Sequence, residues 1–214
     1  SASMSSTALE RIRSQKIVAL VSTPDPEALY ESALAALAGG IGLLGVPASA
    51  QNVADLIQDL SDRADLAVGV SDVVSVDQIA LAVASGAQFV ISPICDPQIV
   101  KMSRANGLVV IAGGATPSEV TAAAACKPDL VTIFPAGLLG GPRYLKMLQS
   151  HFPGLELAAA GGVDVESGPA YLESGAAAII VDQGLFPQII EKESASIISR
   201  RASALVEVCA GMTE

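Results

Sequence analysis

The chain has 214 residues, a length that fits one domain and suffices to bury most of the unfolded surface without disulfides or a structural metal. Hydrophobic residues make up 51% of it, which excludes an intrinsically disordered chain, and a net charge of −10 with 12 scattered Lys and Arg excludes a nucleic-acid footprint. No apolar run reaches the roughly 18 residues of a membrane span, so a soluble, intracellular setting is expected, with Cys95, Cys126 and Cys209 as reduced thiols.

The Ser-rich opening reads as a cloning remnant or the trimmed edge of a transit peptide, so residues 1–7 are expected to be disordered and outside the fold. The compartment expected is the cytoplasm, or the plastid stroma in the transit case. From there short aliphatic runs alternate with Ala-rich stretches of helical period. Residues 17–21 predict the first strand and 26–38, opened by Pro26, the first helix. Strand 41–46 leads to helix 50–61, strand 66–70 to helix 76–85, and strand 89–91 to helix 97–106. Strand 108–111 precedes Thr116-Pro117-Ser118-Glu119, where Thr caps, Pro takes the first helical position and Glu offsets the dipole of helix 117–125. Strand 130–134 leads to helix 141–151, whose end His151, the sole histidine, is placed to cap. Strand 155–159, helix 165–174 and strand 178–181 follow, and 193–210 predicts an amphipathic helix packed outside the domain or on a partner subunit. Gly39, Gly86, Gly107 and Gly175 are read as left-handed helix ends.

Runs without polar alternation suit strands buried on both faces, as in parallel sheets covered by helices. Eight such units make an α/β fold, a single (β/α)8 TIM barrel with an added C-terminal helix; a doubly wound open sheet is the alternative, since periodicity does not distinguish closure. Barrel sites lie at the carboxyl ends of the strands. The residues there include Ser71, Asp72, Ser92, Pro93, Thr132, Pro135, Gly161, Gly162, Asp182 and Gln183, with no Lys, Arg, His, Cys or Glu. Asp72 and Asp182 are therefore the candidate working groups, as an acid–base pair or as partial ligands of a divalent cation; solvated or helix-capping carboxylates are the plain alternative.

Five segments together are similar to one family: Gly39-Gly40-Ile41, residues 85–93, residues 115–119, Phe134-Pro135-Ala136 with Gly140-Gly141, and Ala160-Gly161-Gly162-Val163. The chain resembles the 2-keto-3-deoxy-6-phosphogluconate (KDPG) and 4-hydroxy-2-oxoglutarate (KHG) aldolases. The resemblance implies a homotrimeric (β/α)8 barrel and class I aldolase chemistry with no cofactor. It also implies substrate contacts at Pro93 and Thr116 and a phosphate seat at Gly161, Gly162 and Gln183. The family's Schiff-base lysine lies two residues before Phe-Pro-Ala, where this chain has Thr132, and none of Lys16, Lys101, Lys127, Lys146 and Lys192 falls at a strand's catalytic end. Gly45 stands for the family's acid–base glutamate and Ser49 for its carboxylate-binding arginine. Ser71-Asp72-Val73 replaces Gly-Thr-Val, and Asp182-Gln183 puts an acid at the phosphate end.

The function expected is a KDPG-aldolase-like pseudoenzyme that has lost class I aldolase activity and serves as a binding or assembly protein. Gly45, Pro47, Ala48, Ile94, Leu138 and Leu139 supply the apolar surface a protein partner would use, or in the case of Leu138 and Leu139 a rim or trimer contact. The alternative is a carbon–carbon lyase acting on a 2-keto (phospho)sugar acid by a changed, metal-assisted mechanism through Asp72 and Asp182. A third reading holds a small carboxylate or phosphate above Thr132, against the Gly161-Gly162 amides, without turnover.

Overall fold

A computed structural model describes residues 2–21, 23, 25–182, 184–187 and 194–212, with side chains from Ala8 on. It opens with a helix the sequence reading lacked, α1 (Ala2–Gln15), so residues 2–7, set aside there, form its first turns. The alternation then runs β1 (Ile17–Leu20), α2 (Pro26–Ala38), β2 (Leu43–Pro47), α3 (Val53–Ser61), β3 (Ala67–Ser71) and α4 (Val76–Ala84). It continues with β4 (Phe89–Ser92), α5 (Pro97–Ala105), β5 (Val109–Ala112), α6 (Pro117–Cys126), β6 (Val131–Ile133) and α7 (Pro142–His151). The last elements are β7 (Leu157–Ala160), α8 (Gly168–Glu173), β8 (Ala178–Val181) and α9 (Ser194–Ala210). All eight predicted strands are present.

The strands are parallel and ordered β5-β4-β3-β2-β1-β8-β7-β6, so β1 sits between β2 and β8 and the sheet curls toward closure. The seam between β5 and β6 carries only single bridges, Ile111 with Leu130 and Gly114 with Ile133. Part of that ladder is supplied by a side chain, since the Val110 amide donates to Asp129 Oδ2 at 2.8 Å. Gly113 permits the approach: a Cβ there would stand 1.9 Å from the Thr132 carbonyl oxygen. The result is a nearly closed (β/α)8 barrel, not an open sheet.

Strand alternation divides the core. Ile17, Ala19, Val68, Val90, Val131 and Ile179 face the helices, while Val18, Leu43, Ala67, Phe89, Leu130 and Ala178 fill the barrel interior. Ala8 and Ile12 of α1, four apart and so on one helical face, join that inner cluster fully buried and close the barrel's amino end. The C-terminal helix α9 lies outside, as expected, burying Ile198, Ala202, Leu205 and Cys209 against α2 and α8.

Most predicted end signals hold. Thr116 and Glu119 form a capping box, with Pro117 in the first turn of α6. The Nδ1 of His151, with its proton assigned there, donates to the Met147 carbonyl at 2.9 Å. Gly39 is a correction: its φ is −82°, and Gly40 at 100° makes the left-handed turn. Gly39 is needed for space instead, because a Cβ would come within 2.4 Å of Ala202 Cβ and the Ser199 carbonyl of α9.

Candidate functional site

Alternation also fixes what faces the upper interior. With Leu43, Leu130, Ala158 and Ala178 inward, the same phase carries Gly45, Thr132, Ala160 and, just past β8, Asp182 inward. These strand ends surround a cavity of about 180 Å³, whose walls include Leu20, Ser71, Ile91, Thr132, Ala160 and Asp182. Asp72, Ser92, Pro93, Phe134 and Gly161 complete its rim, together with Val21 and Pro47. Among the described residues, the lining contains no lysine, arginine or histidine. A second cavity, about 210 Å³, lies at the other end between Gln15, Ile41 and Val206, away from the loops that follow the strands.

The floor is polar but unsatisfied. Thr132 and Ser71 are each 1% exposed, and among the described residues neither Thr132 Oγ1 nor Ser71 Oγ has a hydrogen-bond partner. Buried hydroxyls are normally bonded, because losing water without a replacement costs free energy. Ser92 differs: its buried Oγ accepts from the Ile94 amide at 3.3 Å. Gly45 is filled from across the barrel, since a Cβ would meet Leu20 Cδ2 at 2.5 Å.

Asp72 reaches the rim by a backbone turn. Ser71 points inward, so plain alternation would send Asp72 outward, but its φ of 56° breaks the pattern and its side chain borders the cavity. The carboxyl keeps solvent access, yet the cavity walls strip enough water from it to push its pKa up, and the negative Asp182 adds to the rise. The Asp182 carbonyl accepts from the Leu185 and Phe186 amides at 3.0 and 3.1 Å, which anchors the turn after β8.

The loop after β6 is pinned to the end of β7. The Phe134–Pro135 peptide is cis, and the Ala136 and Gly137 amides donate to the Ala160 and Gly161 carbonyls at 2.7 and 2.8 Å. Gly161 and Gly162 both have positive φ, 79° and 77°, and a Cβ on Gly161 would press on the Phe134 ring at 2.9 Å.

Of the residues singled out from sequence, Thr132, Asp72, Asp182, Pro93 and Gly161 thus meet at one cavity, and Gly162 adjoins it without lining it. Thr116 does not line the cavity: its hydroxyl is held by Glu119, donating to Oε2 at 3.0 Å and accepting from the Glu119 amide at 3.4 Å. The Thr116 and Ala115 amides, donating to the same Oε2, and then the Thr116 hydroxyl hold the Glu119 carboxyl below its ordinary pKa. Gln183 lies outside the described residues. Lys101, Lys127 and Lys146 are exposed on the outer surface, Lys16 reaches the Met212 carbonyl at the opposite end, and Lys192 lies outside the described residues.

Sequence reasoning placed Ser71 among the strand ends without giving it a role, and passed over Leu20 and Phe134 as site residues; strand phase was the signal that would have turned Ser71 and Leu20 inward. Cys95 and Cys126, distant in sequence, are neighbours, with the Cys95 thiol 3.9 Å from the Ala123 carbonyl. Burial first, and the Cys126 thiol second, push Cys95 up to about 12, so it stays protonated at neutral pH. Among the described residues no group of three or more His, Cys, Asp or Glu is placed to hold a metal ion, and no helix is long and apolar enough to cross a membrane.

Comparison with known proteins bears on this geometry. The family model for KDPG and KHG aldolase matches residues 9–200. The 2-dehydro-3-deoxy-phosphogluconate aldolase of Treponema pallidum (strain Nichols) is 31% identical over 166 residues, 77% of this chain and 78% of that protein. The fold is that of the KDPG aldolase of Zymomonas mobilis ZM4 with 3-phosphoglycerate (TM-score 0.83, 21% identity, 92% of this chain and 94% of that one). It is also that of a chain in a cube-shaped protein cage designed by fusing symmetric oligomeric domains (TM-score 0.81, 23% identity, 92% of this chain and 73% of that one).

Proposed function

Since this chain belongs to the KDPG and KHG aldolase family, we propose that it is a member without the Schiff-base route, which keeps the barrel mouth as a binding site. One observation carries the reading: the residue two positions before Phe134-Pro135-Ala136, in the cavity wall, is Thr132. A hydroxyl cannot condense with a ketone to an iminium, and the covalent intermediate of a class I aldolase requires an amine at that point. The acid–base side is altered too. Where the family resemblance expects a glutamate, Gly45 offers no side chain and Leu20 occupies the space.

Assembly as a homotrimer belongs to the same proposal. Leu138 is 87% exposed beside the mouth, with Phe134 at 42% and Ile94 at 45%, more apolar surface than a free rim needs. The designed cage's use of symmetric oligomeric domains supports it. Light scattering after gel filtration tests it, three chain masses being the expected result and one chain mass the contrary one.

A metal-assisted lyase is the second reading, favoured by two carboxylates near enough for Asp182 to raise the pKa of Asp72. Hard cations take about 6–8 oxygens, so water and substrate would supply most of the shell. Titration with Mg²⁺ or Mn²⁺ tests it, and absence of heat removes it.

Borohydride trapping in the presence of pyruvate, read by intact mass, tests the main proposal. The expected spectrum shows the unmodified chain alone; a pyruvate adduct overturns the proposal.

A further inference from the structure

We propose that Cys95 and Cys126 form a reversible intramolecular disulfide, made by exchange with a small-molecule disulfide, which fastens one side of the mouth cavity's rim to α6. Neither thiol lines the cavity, so the bond forms whether or not the chain retains the Schiff-base route.

Position brings the pair together. Cys95 lies in the connection between β4 and α5, and its Sγ stands 3.9 Å from the carbonyl oxygen of Ala123 in α6. Cys126 is three residues beyond Ala123, so helical spacing puts its side chain on the same face, one turn on. Both side chains pack against the same apolar core, both are partly exposed, and both are free thiols. They also act on each other, since after burial a hydrogen bond with Cys126 is the largest cause that keeps the Cys95 thiol protonated. Cys209 is the contrast: it is 3% exposed in α9, and burial alone pushes its pKa up.

The backbone at both positions has room to adjust. Cys126 is the last residue of α6, followed by Lys127 in the left-handed region at φ 57°, and Cys95 precedes Asp96, the cap of α5. Shifts at a helix end and in a connection bring two sulfurs into disulfide geometry without breaking a strand or the body of a helix.

The exchange needs no bound cofactor. Cys95, held protonated, does not start it. Cys126 gives its proton to solvent and its sulfur attacks one sulfur of the small disulfide, forming a mixed disulfide and releasing one thiolate. The Cys95 sulfur then attacks the Cys126 sulfur; the second small thiolate leaves and takes up the Cys95 proton. The pair is oxidised to a disulfide, and the small disulfide is reduced to two thiols.

The bond reaches the mouth through a short segment. Ser92 and Pro93, just ahead of Cys95, line the cavity, and the Ile94 amide donates to Ser92 Oγ at 3.3 Å. Anchoring Cys95 to α6 therefore restrains this side of the rim.

Incubation of the full chain with excess oxidised glutathione, followed by denaturation, maleimide labelling and intact mass, tests the proposal. Of its 3 cysteines the parent is expected to leave one open to maleimide, with Cys95 joined to Cys126 in the peptide map and both thiols recovered by dithiothreitol. Cys95→Ser should stop at a glutathione adduct on Cys126, and Cys126→Ser should leave Cys95 unmodified over the same time. Hydrogen exchange at the Ile94 and Cys95 amides should slow about threefold or more in the oxidised parent and not in Cys95→Ser. Labelling of all 3 cysteines in the treated parent, a lasting glutathione adduct on it, or a bridge to Cys209 overturns the disulfide. Unchanged exchange at Ile94 and Cys95 overturns its hold on the rim.

Discussion

The two ends of the barrel interior are built from the same strands, two residues apart, and differ in everything that matters for function. At the amino end Val18, Leu43, Phe89, Val109 and Leu130 fill the bore, and Ala8 and Ile12 of α1 close it. At the carboxyl end Gly45, Ser71, Thr132, Ala160 and Asp182 leave a cavity of about 180 Å³, with two hydroxyls that have no partner among the described residues. Stability is concentrated where side chains are large and apolar; binding is available where they are small and polar. Such a division is how one scaffold tolerates change at its mouth.

The contrast breaks first at Phe89. Its ring is fully buried and occupies the space that Gly69 leaves open, so Phe89→Ala should cost about 3–5 kcal/mol in chemical denaturation. Ile12→Ala should cost about 2–5 kcal/mol, although α1 lies outside the strand–helix repeat; a cost near zero would show that α1 does not close the bore.

The paired glycines sharpen the comparison. Gly45 and Gly69 are neighbours in register on β2 and β3. A Cβ at Gly69 meets three atoms of the Phe89 ring between 2.3 and 2.6 Å, and Gly69→Ala should cost about 1–3 kcal/mol by overpacking. A Cβ at Gly45 meets the free end of Leu20 at 2.5 Å, which can swing toward the cavity. Gly45→Ala should therefore lie within about 0.5 kcal/mol of the parent. Equal costs would mean that the upper interior is packed as tightly as the lower.

The repeat was legible because its signals are local. Buried runs at strand length and Pro or Thr at helix starts each act within a few residues, and the Thr116–Glu119 capping box formed as its spacing predicts. The helix α1 was not legible: its described buried apolar pair is Ala8 and Ile12, and their value comes from the barrel they close. Gly39 misled because its role is contact with α9, more than 150 residues later, and not its own φ. At the site, alternation suffices to turn Thr132 inward, but Asp72 escapes it through a positive φ that no residue pattern announced. Thr116 carried two meanings in one motif, cap and substrate contact, and its hydroxyl makes the first of them.

A smaller effect is expected from Thr132→Val. The change removes a buried hydroxyl that has no partner among the described residues and keeps the branched shape, so it should stabilise the chain by about 1 kcal/mol. A loss of stability instead would show that the hydroxyl is bonded in solution, by water or ligand in the cavity.

The smallest change is expected at Asp72, and it has a distinctive pH signature. Burial, then the charge of Asp182, raise its folded-state pKa above 3.8, so the folded chain holds this proton more tightly than the unfolded chain does. The stabilisation from that proton is complete below pH 3.8 and disappears as pH rises through the elevated folded value. Asp72→Asn removes the ionised form while preserving shape, and asparagine tolerates the left-handed backbone that the site requires at φ 56°. Thermal melts should thus show the variant slightly more stable than the parent at pH 7, with the advantage vanishing below pH 3.8. In a background of Asp182→Asn the advantage should shrink but persist, since desolvation is the larger cause and survives the loss of the neighbouring charge. Complete loss of the advantage in that background would place the whole effect in the repulsion between the two carboxylates, and the mouth would then be wetter than its geometry implies.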